Sequence, residues 1–196
     1  AKPRTAMTRR PTRSSNRGRI QNWEGCKMNS AEKIHIIIVE PGRLARKAEM
    51  DNTMAAAQAV VGGRALVLHP RRNASICIVI NENGKALGLE GNRVIPECDT
   101  IAYGPFFVCG CERDQFCSLT KEQTDQYLFR FEGVEYIFEF PERLLVFSRT
   151  KLENETEEEF LRESIKAAAR WRAQHGKDKP LRMERRHKKK RGGPSR

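Results

Sequence analysis

Cys109, Cys111 and Cys117 form a C-x-C-x5-C pattern, with Cys98 upstream as a candidate fourth thiol. Four thiolates converging in a tetrahedron would hold zinc. The spacing argues against it. Structural zinc ligands come as two pairs, each separated by two to four residues, whereas Cys109 and Cys111 share one face of what reads as a buried strand. The expected role of these cysteines is that of small buried hydrophobes. The four histidines do not cluster: His35 falls in a strand, His69 precedes a proline, and His175 and His187 lie in the basic C-terminal end. The carboxylates of "KLENETEEEF" suit the solvated, acidic first turn of a helix. No nucleophile, base and orienting group are legible together. No catalytic, cofactor-binding or metal-ligating residue is therefore assigned, and a non-enzymatic protein is expected.

A second chemistry to test is phosphate binding by the glycine pair in "DNTMAAAQAVVGGRALVLHP", residues 51–70. A phosphate loop places its glycines after a strand and before a helix, so that the helix N-terminus faces the anion. Here a helix, "TMAAAQAVV", precedes Gly62 and Gly63, and a strand, "RALVLHP", follows. The glycines stand at the negative end of the helix dipole, where glycine serves as a left-handed cap. They are expected to turn the chain.

The elements that position these residues follow from periodicity and punctuation. "IHIIIVE" reads as a buried strand closed by a turn at Pro41-Gly42, where Gly42 permits positive φ. "ARKAEM" returns as a short, partly exposed strand, and Asp51, Asn52 or Thr53 caps the short helix. "ICIVINENGKALGL" predicts a β-hairpin about Asn83-Gly84, the dipeptide favoured by primed turns. A loop, "EGNRVIPECDT", leads to "IAYGPFFVCGCE", read as one buried strand. "SLTKEQTDQYLFRF" is a helix with Thr120 and Gln123 at capping-box spacing and a stripe of Thr124, Tyr127, Leu128 and Phe131. "VEYIFEF" alternates, with Val134, Tyr136, Phe138 and Phe140 on one face, and "RLLVFS" returns as its partner. Thr156 and Glu159 open a last helix, whose apolar side is expected to carry Phe160, Leu161, Ile165, Ala168 and Trp171 and to pack on the domain, with Gly176 as its C-cap. The fold class predicted is α+β: a small mixed or antiparallel sheet with a short helix and a hairpin, then helix, strand pair and amphipathic helix.

The combination of "IIIVEPG", "DNTMAAAQAVVGG", a strand ending in Pro70, "NENGKALGLEGNR", "GPFFVCG" and "SLTKEQTDQYLFRF" resembles a domain of unknown function over residues 34–131. That family occurs in phages, plasmids and conjugative elements of Gram-positive gut bacteria. The resemblance implies a mobile-element setting and a small α+β domain; it carries no catalytic or ligand-binding residues across. The chain departs from the family pattern at "NASICIVI", where an acidic loop is more typical, and in its long C-terminal extension.

A length of 196 residues suits one domain with tails, and 38% hydrophobic against 32% charged residues lies on the polar side of globular average. The net charge of +12 is segregated: +7 in residues 1–27, +8 in residues 177–196 and −3 in residues 28–176. Residues 1–27 are rich in Arg, Pro, Ser and Thr, without apolar period, and are expected to be a disordered basic arm or translated leader sequence. Codons for Trp23-Glu24-Gly25 can spell GGAGG, the purine run that bacterial ribosomes bind upstream of a start, which makes Met28 the expected start. The expected organisation is thus an arm (1–27), a domain (28–131), a hairpin-plus-helix extension (132–176) and a basic tail (177–196). The tail's Arg185, Arg186, Lys188, Lys189, Lys190 and Arg191 are candidate phosphate contacts; without aromatic residues they cannot stack on bases, so such binding would be non-specific and salt-sensitive. No apolar run approaches the roughly 20 residues of a membrane span, and the first 30 residues lack a secretory apolar centre. A cytoplasmic protein with cysteines as thiols is expected, with an unidentified protein or small ligand as partner and nucleic acid as the alternative.

Overall fold

The computed structural model describes residues 32–71, 73–112 and 115–176. The basic arm, Met28 and the tail residues Arg185, Arg186, Lys188, Lys189, Lys190 and Arg191 lie outside them. The chain runs β1 (Lys33–Val39), β2 (Arg46–Asp51), α1 (Met54–Val61), β3 (Ala65–Leu68), β4 (Ile76–Asn81), β5 (Gly91–Ile95), β6 (Thr100–Tyr103), β7 (Phe106–Glu112), β8 (Gln115–Cys117), α2 (Lys121–Arg130), β9 (Gly133–Phe140), β10 (Arg143–Thr150) and α3 (Glu157–His175).

The main sheet has the order β2-β1-β7-β4-β3, with β8 also pairing β7, and every neighbouring pair is antiparallel. Its strands alternate between two apolar layers. Ile34, Ile36, Val67, Cys77, Val79, Phe107, Cys109 and Cys111 meet Ala57 and Val61 of α1 on one face. Ile37, Val39, Ile76, Ile78, Ile80, Phe106 and Val108 meet Tyr127 and Phe131 of α2, with Ile95 and Ala102 of the β5–β6 ribbon, on the other. A strand covered on both faces has no use for a polar period, which is why "ICIVI" and "FFVC" are continuous apolar runs. Every residue of β4 is buried.

The helices begin as their sequences require. The Thr53 side chain accepts from the Ala56 N–H at 3.2 Å, and α2 and α3 open with reciprocal capping boxes, Thr120 with Gln123 and Thr156 with Glu159. Gly62 ends α1 with φ 70°, a left-handed cap. The carbonyls of Val61 and Gly62, exposed by the end of the helix, are taken by Asn81 Nδ2 at 3.2 and 3.1 Å. Gly63 lies so close that a Cβ there would sit 2.7 Å from Asn81 Nδ2. The pair thus joins α1 to the end of β4, with no helix N-terminus beside it.

Four expectations are overturned. Asn83-Gly84 makes no hairpin: both flanks of β4 are occupied by β3 and β7, so "KALGL" has no strand to pair with and coils into turns. The Asn81 side chain accepts from the Asn83 N–H at 2.9 Å and starts the turn, and neither Asn83 nor Gly84 has positive φ. Gly84 is needed for another reason: a Cβ there would meet the Tyr103 carbonyl at 2.6 Å. "EGNRVIPECDT" contains β5 and a 3-10 turn at Pro96–Cys98, hidden from pattern reading because Asn92 and Arg93 are buried polar residues. "IAYGPFFVCGCE" is two strands, β6 and β7, parted at Gly104 with φ 75°. On α3 the inward residues are Phe160, Ser164 and Ala168, whereas Ile165 is 57% exposed. Ser164 takes the buried place because its hydroxyl donates to the Phe160 carbonyl and accepts from Arg149 at 3.2 Å. Gly176 is the C-cap of α3, as expected, in helical conformation with its N–H on the Arg172 carbonyl.

The β9–β10 hairpin and α3 form a third core of Val134, Tyr136, Phe160 and Ala168, joined by Leu44 from the β1–β2 loop. Trp171 stacks on Phe138 with 6.1 Å between centroids. This unit is tied to the sheet domain through β5. Arg93, 2% exposed, donates to the carbonyls of Arg43 and Gly133, to the Asn92 carbonyl and to Asn92 Oδ1. Asn92 Nδ2 in turn donates to the carbonyls of Val39 and Gly104, both at 2.9 Å.

Gly63→Val and Gly84→Val should each lower stability by roughly 1 kcal/mol or more, the first by displacing Asn81, the second by pushing on the Tyr103 backbone. An unchanged melting temperature for either would contradict the close approaches. Phe160→Ala should cost about 3–5 kcal/mol in chemical denaturation, while Ile165→Ala should stay within about 0.5 kcal/mol. Equal costs would restore Ile165 to the packed face.

Candidate functional site

The four sequence-adjacent cysteines do not meet. Cys109 and Cys111 point into the α1 face, as expected of alternate residues on one strand. Cys117 is the register partner of Gly110, and a Cβ on Gly110 would touch the Cys117 sulfur, which places that thiol on the α2 face. Cys98 packs against the α2-face core from the 3-10 turn. Burial pushes the Cys98 thiol up to about 11, with the neighbouring Glu97 carboxylate adding to the rise, and burial likewise raises Cys117. Both are poor nucleophiles at neutral pH. What the structure does bring together is different. Cys77 faces Cys109 across β4 and β7, and His69, just past β3, comes beside Cys77 with its Nδ1 3.8 Å from the sulfur. Among the described residues, His69, Cys77 and Cys111 have ligand atoms all within 4.8 Å of one another. The set is not legible in sequence because Cys77 and Cys111 lie on β4 and β7 and His69 just past β3; the signal available is that His69 and Cys77 flank a turn between two antiparallel runs.

His35 and its surroundings form an open groove. The first half of β1 is not paired with β7; instead the chain between β8 and α2 runs beside it, with Leu119 N–H on the His35 carbonyl at 3.1 Å and Ser118 Oγ accepting from the His35 N–H at 3.0 Å. Between that segment and β2 lies a groove of about 450 Å³ lined by His35, Ile36, Lys47, Ala48, Glu49, Leu119, Lys121 and Thr124. Leu119 is its apolar side chain, Ile36 and Ala48 line it by their backbone, and its rim carries two lysines against Glu49, which faces His35 at 3.6 Å. β2 is the terminal strand on this side, and Arg46, Lys47, Glu49 and Asp51 mark its length with charge, a pattern that blunts edge-to-edge pairing.

Other ionic clusters hold the fold together. Glu139 accepts from the Tyr103 hydroxyl and from Lys85 Nζ at 2.7 Å, tying the turn after β4 and the ribbon to β9. The Lys85 hydrogen bond holds the Glu139 carboxyl below its ordinary range, and the same bond raises Lys85. Burial pushes the Tyr103 phenol up, and its hydrogen bond to Glu139 adds to the rise. Arg130 on α2 bridges to Glu97 at 2.9 Å and fixes the 3-10 turn. Arg93 is pulled down to about 10 by burial, with Glu135 opposing, and stays a cation at neutral pH. Of the remaining histidines, His175 stacks on Trp171 at 4.6 Å and its Nδ1 contacts the Trp171 carbonyl, while His187 lies outside the described residues. Glu157, Glu158 and Glu159 stand in the first turn of α3.

Gly42, with φ 64°, turns the chain after β1, and Gly62 and Gly63 join α1 to β3; none of them lines the groove or belongs to the thiol cluster. No helix among the described residues is long and apolar enough to cross a membrane. No curated protein and no solved structure matches the chain. A family model does, over residues 34–132, from β1 through the end of α2, and leaves β9, β10 and α3 outside the match. The chain belongs to the family described as Domain of unknown function (DUF3846).

Proposed function

We propose that this chain is a non-enzymatic binding domain of a mobile-element accessory protein acting in the cytoplasm, and that its ligand, a protein segment or small molecule, occupies the groove between β2 and the start of α2. One observation carries this reading. The buried side chains of Asn81, Asn92, Arg93 and Ser164 hydrogen-bond within the fold, whereas the groove presents Leu119 and the backbone of Ile36 and Ala48, whose side chains point to the α1 face, beneath a charged rim. A concave surface with an apolar side chain and a few orienting polar groups has the composition of a recognition site. The mobile-element setting rests on the resemblance of the motifs in residues 34–131.

A second reading is favoured by the distribution of charge. With −3 over residues 28–176 and +8 over residues 177–196, phosphate contact would fall to the tail, through Arg185, Arg186, Lys188, Lys189, Lys190 and Arg191. Such binding positions a protein on nucleic acid without reading bases.

The two readings separate in one set of variants. Affinity purification from the native host should recover the same partner with the full chain and with a chain lacking residues 177–196. Lys47→Glu with Lys121→Glu should lose that partner while keeping the wild-type melting temperature. Equal recovery by the double variant removes the groove from consideration. DNA retardation that falls steeply with salt and disappears with the tail would favour the second reading.

A further inference from the structure

We propose that His69, Cys77 and Cys111 bind one thiophilic divalent metal ion, of the Zn(II) class, at the end of the main sheet on its α1 face. The inference stands apart from the groove and from any partner that binds there.

Register places the three residues. β3 pairs Leu68 with Ile78, so the next residue, His69, comes beside Cys77. β4 pairs Ile76 with Gly110 and Cys77 with Cys109, which puts Cys111 across from Ser75, whose carbonyl accepts the Cys111 N–H at 2.8 Å. Cys77 and Cys111 are therefore diagonal neighbours on one face, a separation that side chains can span. Their sulfurs and a ring nitrogen of His69 lie within 4.8 Å of one another, and the edge from Cys77 Sγ to His69 Nδ1 is 3.8 Å. Zinc–sulfur bonds of about 2.3 Å and zinc–nitrogen bonds of about 2.0–2.1 Å put ligand atoms roughly 3.5–3.8 Å apart around a tetrahedron. One edge already has that length, and the others need only small rotations of side chains.

The donor set selects the ion. Two thiolates with an imidazole suit Zn(II) and its soft or borderline neighbours, and suit Mg(II) or Ca(II) poorly. Cys77 is fully buried and Cys111 is 9% exposed, within an apolar layer that includes Phe107 and Phe116. Two thiolates in such a layer are costly alone, and a dication offsets both charges. On binding, each thiol gives its proton to solvent as a metal–sulfur bond forms, and neutral His69 donates its Nδ1 lone pair. Three protein ligands leave a fourth position for water, and His69, the partly exposed member, marks the side open to solvent.

The test uses the full chain, reduced, titrated with Co(II) as a spectroscopic stand-in. One Co(II) per chain should bind with a thiolate-to-cobalt charge-transfer band and the intense visible bands of a tetrahedral site, and Zn(II) should displace it. A Cys26→Ser, Cys98→Ser, Cys117→Ser triple variant should keep the spectrum. Cys77→Ser, Cys111→Ser and His69→Ala should each weaken binding by roughly tenfold or more, since even partners beyond the ligands cost that much. Far-ultraviolet circular dichroism monitors folding; His69 is partly exposed, so His69→Ala remains informative where a cysteine variant unfolds. Absence of the charge-transfer band at saturating Co(II) overturns the proposal. So does its loss in the triple variant, or its persistence at wild-type affinity in folded His69→Ala.

Discussion

A buried guanidinium governs how the two halves of this chain meet. Arg93 brings its charge into the interior, where it must be satisfied at almost every N–H or destabilise the fold. It is satisfied by carbonyls from three places: Arg43 after β1, its own neighbour Asn92, and Gly133 at the start of β9. Carbonyls so used cannot move independently. The loop after β1, the β5–β6 ribbon and the C-terminal hairpin are therefore held in one arrangement, and Asn92 extends it to the ends of β1 and β6 through Val39 and Gly104. Glu135 reinforces the seam by accepting the Val94 N–H at 2.8 Å. The extension outside the family match is joined to the family domain by polar contacts whose members belong to both.

That arrangement also explains where polar chemistry is found. The main sheet is covered by α1 on one face and by α2 with the ribbon on the other, so its centre is apolar throughout and reactive groups are confined to its margins. At one margin the departure of α2 from β1 leaves the groove beside His35. At another, the ends of β3, β4 and β7 bring a histidine and two thiols onto the α1 face. On the α2 side the half-buried Cys98 and Cys117 stay protonated at neutral pH, because burial raises both thiols.

Local signals suffice where the chain's own neighbours decide the structure. Thr53, Thr120 and Thr156 cap helices because each side chain reaches an N–H two or three residues on, a matter of local geometry. The strict alternation of "VEYIFEF" and its return in "RLLVFS" needed nothing from elsewhere. The Asn83-Gly84 dipeptide misleads because its hairpin meaning depends on a free flank beside β4, and β7, some 25 residues further on in the chain, takes that flank. β5 is hidden from pattern reading since Asn92 and Arg93 are polar by type and buried only by their distant partners. Apolar type alone places Ile165 inward and passes over Ser164, because Arg149, on another element, makes the serine the better buried residue.

The sequence by itself determined the α+β class, the start of each helix, the glycine turn after α1, the segregation of positive charge to the tails and the family. Each rests on contacts within a few residues, on composition or on ordered motifs. Tertiary structure alone decided which thiols meet, which face of α3 is buried and what holds the extension to the domain. The physical reason is register: the pairing of β3 with β4 and of β4 with β7 sets His69, Cys77 and Cys111 side by side, while a neighbour as near in sequence as Cys117 is turned to the opposite face.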